Sequence, residues 1–201
     1  MKFPESYCVF DFETTGLDPA KEKIIEIGAL RVEKGKKDEQ CTWLVDWPGL
    51  VVPELITNLT GINAEMLSFG HPPQFAWYQF REFTKGLPMI GHNILKFDIP
   101  FLMAMDKAIN DNNASFKGVQ LMRNCIDTAG LFKAKKLNLV QQWNETLNEF
   151  CLRALDTRVA GLKFNVGVAC DELGIDRKAA VQHRAEGDVY LTQKIYQKLC
   201  L

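Results

Sequence analysis

The chain reads as one α/β domain whose sheet starts as an antiparallel meander and continues with strands alternating with helices. Three observations predict this. Three strand-like segments follow one another between Tyr7 and Val45, and two more alternate with segments of helical spacing. The 201 residues, 47% hydrophobic and 24% charged, suffice for one sizeable core. The same composition excludes a disordered chain, a collagen-like repeat and a disulfide-stapled miniprotein.

Tyr7 to Phe12 is a short run rich in aromatic and β-branched residues, read as a buried strand. Gly16, Asp18 and Pro19 turn the chain, and Ile24 to Val32 forms the second strand. Lys34 to Asp38 make a hairpin into a third strand, Cys41 to Val45. Pro53 to Leu59 and Phe75 to Phe83 carry helical spacing, and Leu87 to Gly91 is strand-like. Ile99 to Ile109 reads as a helix with Pro100 in its first turn, ended by Asp111, Asn112 and Asn113. Cys125 and Ile126 close the last strand, and Asp127 or Thr128 caps the next helix.

From Lys133 to Lys163 six basic residues meet three acidic ones, and Leu139, Trp143, Leu147, Phe150 and Leu155 lie at roughly helical spacing. Val166 to Leu173 and Val189 to Leu199 are the closing helices, with Gly174 ending the first. The whole chain, 1–201, is expected to be one domain, with a helical, basic-leaning insertion around 133–163.

Twenty-four basic and 25 acidic side chains give a net charge of −1, which argues against holding nucleic acid by bulk electrostatics. The six cysteines are scattered without a CxxC pair, so free thiols in a reducing cytosol are expected. The first residues lack the apolar core of a signal peptide, and no apolar run approaches a membrane span. A cytoplasmic protein without membrane attachment is the expectation.

Asp11 and Glu13 stand two apart on a strand, so both carboxylates project from one face while Phe10 and Phe12 project from the other. Such a pair repels itself, and a hard divalent cation resolves the repulsion; a solvated strand end is the plain alternative. Thr14, Thr15 and Gly16 follow, small residues that let hydroxyl and backbone donors approach a phosphate or a sugar closely.

The segment Asp11-Phe12-Glu13-Thr14-Thr15-Gly16-Leu17 resembles the first motif of the DnaQ-like 3′–5′ exonucleases of the DEDDh group, which includes the polymerase III epsilon proofreading subunit, RNase T and oligoribonuclease. Gly91-His92-Asn93 with Asp98 fits the second motif, and His183 five residues before Asp188 fits the third. The sister group carries Tyr where this chain has Arg184, which assigns the histidine subclass. Ile25-Glu26-Ile27-Gly28, Leu59-Thr60-Gly61-Ile62 and Asp127-Thr128 also match, and the matches run from Val9 to Thr192. Singly, each residue has a plainer reading: Asp98 and Asp188 as first-turn helix acids, His183 as a loop histidine, His92 and Asn93 as turn residues.

The resemblance implies a ribonuclease H-like three-layer fold with a mixed five-stranded sheet flanked by helices. It implies two divalent cations, Mg²⁺ or Mn²⁺, held by Asp11, Glu13, Asp98 and Asp188, with His183 as general base. The reaction would release nucleoside 5′-monophosphates from a DNA 3′ end, single-stranded or frayed. The same chemistry on RNA or short oligoribonucleotides, and a non-catalytic nucleic-acid-binding module, are the alternatives. Thr14, Thr15, Gly16, Leu17, Ile62, His92, Asn93 and Phe97 would grip the terminal nucleotide, with Leu17, Ile62 and Phe97 as apolar groups at the mouth. A DNA polymerase subunit or a second copy of the chain is the expected partner. Only 13 residues follow Asp188, which points to a stand-alone nuclease or one that associates through its own surface. With both ions bound the net charge would be about +3, favouring weak, metal-dependent binding.

Overall fold

The computed structural model describes residues 3–110, 124–178 and 184–200. Its sheet has five strands in the order β3-β2-β1-β4-β5. They are β1 (Tyr7–Thr14), β2 (Ile24–Val32), β3 (Glu39–Leu44), β4 (Met89–Gly91) and β5 (Cys125–Asp127). β1, β2 and β3 pair antiparallel, while β4 joins β1, and β5 joins β4, in parallel. This is the mixed ribonuclease H-like sheet the sequence implied, and β2 has the bounds read from its apolar run. β1 runs two residues beyond Phe12, so Glu13 and Thr14 belong to the strand, and the register slips between them.

The described helices are α1 (Glu54–Thr60), α2 (Ala64–Ser68), α3 (Pro73–Thr84), α4 (Asp98–Ile109), α5 (Thr128–Lys136), α6 (Leu147–Asp156), α7 (Val166–Leu173) and α8 (Ala185–Leu199). The inward side chains of β1 sort the layers. Phe10 and Phe12 each lie 5.6 Å, centroid to centroid, from Phe80 of α3, so α3 covers that face. Asp11 and Glu13 point to the opposite face, where α8 lies against β1 and β2. Gly28 makes this close approach feasible, since a Cβ there would fall 2.7 Å from Ala185 at the start of α8. A smaller cluster of Phe132, Ala169, Cys170, Leu191 and Ile195 fastens α5 and α7 to α8.

Several expectations need correction. α2 was not read from the sequence; it is one short turn of helix capped by the Asn63 side chain on the Met66 amide. α8 begins at Ala185, four residues before Val189, and so carries Asp188 within its first turns. The helical spacing through Leu139 and Trp143 does not produce a helix. Asn138 leaves α5 in the left-handed region, and Thr146 starts α6 with a capping box to Glu149. Trp143 in between is 99% exposed, so its spacing matches no buried face. The helix-ending residues Asp111, Asn112 and Asn113 lie outside the described residues. All six cysteines are free, and burial pushes the Cys8, Cys125 and Cys151 thiols up to about 12. Among the described residues no helix is long and apolar enough to cross a membrane.

Candidate active site

At the end of β1 three carboxylates converge. One oxygen each from Asp11, Glu13 and Asp188 lie within 4.8 Å of one another, all on half-buried side chains. The first two come from alternate positions of one strand and the third from the face of α8 that rests on it. Asp98 opens α4, and its buried carboxylate accepts the Phe12 backbone N–H at 3.1 Å. The fourth acid is thereby tied to the same stretch of β1 from the other side of the strand end.

The electrostatics are those of a site short of positive charge. Burial, then the charges of Asp98, Asp188 and Glu13, push the Asp11 carboxyl well above the usual carboxylate range. Burial and Asp188 lead the causes that push Glu13 up to about 8, opposed by Arg184. Burial also pushes Asp98 up to about 8 against the Phe12 hydrogen bond. Among the described residues no donor bonds the Asp11 or Glu13 carboxylates. Clustered oxygen donors of this type are what Mg²⁺ or Mn²⁺ takes as ligands, so the residues fit the cations the resemblance implied.

Around the cluster, other polar groups are saturated. Asp127 is fully buried and accepts the Asn93 and Leu95 amides as well as those of Ala129 and Gly130. It caps α5, as its sequence position suggested, and it also fixes the loop that carries Asn93, whose φ is 65°. Glu26 lies opposite Glu13 in the β1–β2 register and is fully buried. Arg184 Nε donates to both its oxygens, at 3.1 and 3.2 Å, and the Ala185 amide donates at 2.9 Å. Nothing in the sequence reading gave Glu26 a role. The available signal was a lone acid inside the apolar run of β2, which a buried strand tolerates only when it is paired.

The proposed nucleotide contacts divide. Leu17 is 83% exposed beyond the β1 end, and Phe97 is half-buried against Phe101 at a centroid distance of 5.0 Å. Ile62 is fully buried with Ile25 and Leu67, so it does not offer an apolar surface at a mouth. Leu59, its neighbour on α1, is the exposed residue there. The Thr14 hydroxyl donates to the Gly16 carbonyl, and that of Thr15 bonds Glu22 while accepting the Lys23 amide. Both hydroxyls hold the turn together. A Cβ at Gly16 would meet the Glu22 side chain at 2.9 Å and displace it from the Thr15 hydroxyl.

His92 is buried, which pushes its pKa down to about 4 and keeps the ring neutral. Nε2 lies 2.7 Å from the Phe164 carbonyl and Nδ1 2.9 Å from the Thr128 hydroxyl. A carbonyl only accepts, so Nε2 carries the proton, and the one Thr128 hydroxyl proton is shared between Nδ1 and the Gly91 carbonyl 3.1 Å away. Both ring nitrogens are thus engaged within the protein. His183 lies outside the described residues, one position before Arg184.

Known proteins resemble this chain over most of its length. The profile of the exonuclease family (RNase_T) matches residues 8–196. The chain is 33% identical over 180 residues to the PolC-type DNA polymerase III of Clostridium perfringens, covering 86% of this chain and 12% of that protein. It is 38% identical over 96 residues to the PolC-type DNA polymerase III of Lacticaseibacillus paracasei, covering 48% of this chain and 6% of that protein. The chain therefore spans about a tenth of the length of such relatives. Exonuclease I of E. coli, solved in complex with a dT13 oligonucleotide, superposes with a TM-score of 0.70 at 18% identity, over 98% of this chain and 40% of that one. That likeness shows a shared fold. With the family profile matching nearly from end to end, the chain belongs to the exonuclease family, the DnaQ-like 3′–5′ exonucleases.

Proposed function

We propose that the protein is a metal-dependent 3′–5′ exonuclease of the DEDDh type that removes nucleoside 5′-monophosphates from DNA 3′ ends. The convergence of Asp11, Glu13 and Asp188 within 4.8 Å carries the reading. These three would hold one divalent cation, and Asp98, tied beside them through the Phe12 amide, would serve the second. Two such cations supply an activated water and charge stabilisation for the leaving 3′-oxygen.

The chain's own residues do the rest. The clustered carboxylates, strained by one another's charge without metal, stay ionised once cations offset them. His183, placed by sequence just before α8, takes the proton of the attacking water; an ordinary imidazole titrates near pH 6.5 and accepts a proton at neutral pH. Leu17 and Phe97 offer apolar surface for the terminal base, and Asn93 stands on the loop that Asp127 fixes. The names of the relatives favour DNA over RNA and a polymerase over a second copy of this chain as partner.

The test is incubation of single-stranded DNA, 3′-recessed DNA and single-stranded RNA with the protein and Mg²⁺ or Mn²⁺, against EDTA and Asp11→Ala controls. Shortening of DNA from the 3′ end with release of 5′-monophosphates is expected. Faster shortening of RNA moves the substrate, and no shortening with metal present leaves a binding module. Full activity in His183→Ala removes the general-base assignment alone.

A further inference from the structure

Beside the cluster lies an ion pair that the proposed chemistry does not use. Glu26 and Arg184 are 158 residues apart in sequence, yet the guanidinium meets the carboxylate through Nε and Nη2, and the same carboxylate accepts the Ala185 amide. Arg184 is the N-cap residue of α8 in extended conformation and its own side chain caps nothing. The helix start is held instead by an acid from another strand, which takes the place of a local Ser or Asp cap. Gly28, two residues along β2, lets Ala185 sit against the strand backbone.

The consequence falls on Asp188. Its amide bonds the Arg184 carbonyl at 3.1 Å, one turn into α8, so any slide or rotation of the helix start moves the Asp188 carboxylate relative to Asp11 and Glu13. Glu26 also faces Glu13 directly across the β1–β2 pair. With its oxygens saturated by Arg184 and Ala185, Glu26 is withdrawn from competition as a further ligand. Glu26 is fully buried while its partner Arg184 is one-third exposed, and such a pair is weak evidence for a gain in stability, whereas a metal site demands close control of ligand position.

We propose that Glu26 and Arg184 are positioning residues that fix Asp188 against β1 and thereby set the affinity of the carboxylate cluster for divalent cations. This rests on the metal-dependent reading above.

The test is Mn²⁺ binding by isothermal titration without nucleic acid, together with kcat and KM on a single-stranded oligonucleotide. The principal variant is Glu26→Gln combined with Arg184→Met, which removes both charges and leaves an acceptor for the Ala185 amide. It is expected to melt within a few degrees of the parent protein. Its Mn²⁺ affinity should fall about tenfold or more, and kcat should fall with KM little changed. Arg184→Lys keeps the charge but loses the planar fork, and should weaken Mn²⁺ binding several-fold in a protein of native stability. Should the double variant fail to fold, Arg184→Lys decides the matter. Parental Mn²⁺ affinity and kcat in the folded variants overturn the positioning role alone. A parent protein that binds no Mn²⁺ overturns the metal-dependent reading itself, and this inference with it.

Discussion

Two sets of carboxylates sit at the same end of the sheet under opposite conditions. Glu26 and Asp127 are fully buried, and every approach to them is filled by a guanidinium or backbone amides. Asp11 and Glu13, on the neighbouring strand, are half-buried and meet other acids instead of donors. Burial alone therefore does not separate the two sets; among the described residues Glu26 and Asp127 have hydrogen-bond donors, and Asp11 and Glu13 have none. The saturated set fastens elements of the fold, and the unsaturated set is the one that the proposed reading assigns to divalent cations.

Breaking the unsaturated set should give the largest effect. On the proposed reading, Asp11→Asn would remove a ligand from a site whose cations would supply several kcal/mol of transition-state charge stabilisation. Its exonuclease rate should drop on the order of 10³-fold, at about 1.4 kcal/mol per tenfold. In EDTA at pH 8 the same variant should melt above the parent, because one of the repelling charges is gone. A lower melting temperature there would erase the contrast with the saturated set.

Asp127→Ala should do the reverse, acting on stability. Losing the α5 cap and leaving the Asn93 and Leu95 amides without their partner should cost about 3 kcal/mol in urea unfolding. At a temperature where the variant stays folded, Mn²⁺ should still bind. Loss of binding in the folded variant would place Asp127 among the ligands.

A pH series sharpens the comparison next. The carboxyls of Glu13 and Asp98 are raised to about 8, above their unfolded values near 4. A raised folded value means stability that is complete below about pH 4 and is lost as pH rises through about 8. Set apart from other titrations by comparison with Asp11→Asn, metal-free protein should lose melting temperature between pH 5 and 8. Added Mn²⁺ should raise it more at pH 8 than at pH 5. An equal metal effect at both values would mean that the cluster is not the titrating group.

The smallest effect concerns Thr192, whose buried hydroxyl has no hydrogen-bond partner among the described residues. Thr192→Val should change unfolding free energy by about 0.5 kcal/mol or less, or stabilise slightly, since no bond is lost and a stranded polar group is removed. A loss of activity in this stable variant would give the hydroxyl a function.

Much of this was legible in the sequence, for identifiable reasons. β2 could be bounded because its apolar run is continuous, and Asp11 and Glu13 could be paired because strand alternation fixes faces two residues apart. Asp127 could be read as a cap from its place between strand and helix. Ile62 could not be sorted between mouth and core, because an apolar side chain suits both and only the packing of Ile25 and Leu67 decides. Trp143 misled because a spacing of four from Leu139 resembles a helix face, whereas the chain has already left α5 through the left-handed Asn138 and starts no helix before Thr146. His92 had a motif position but no sign that both nitrogens would be engaged through Thr128 and Phe164, partners distant in sequence. The Glu26–Arg184 pair was hidden for the same reason.

That long separation bears on how the protein comes into being during synthesis. Asp11, Glu13 and Glu26 are translated well before Arg184 and Asp188, and the fastening between Arg184 and Glu26 spans 158 residues. Until α8 leaves the ribosome, Asp11 and Glu13 lack their third neighbour and the cluster stays open. The order of translation therefore sets when the three carboxylates can first meet, which is not before α8 has joined the sheet.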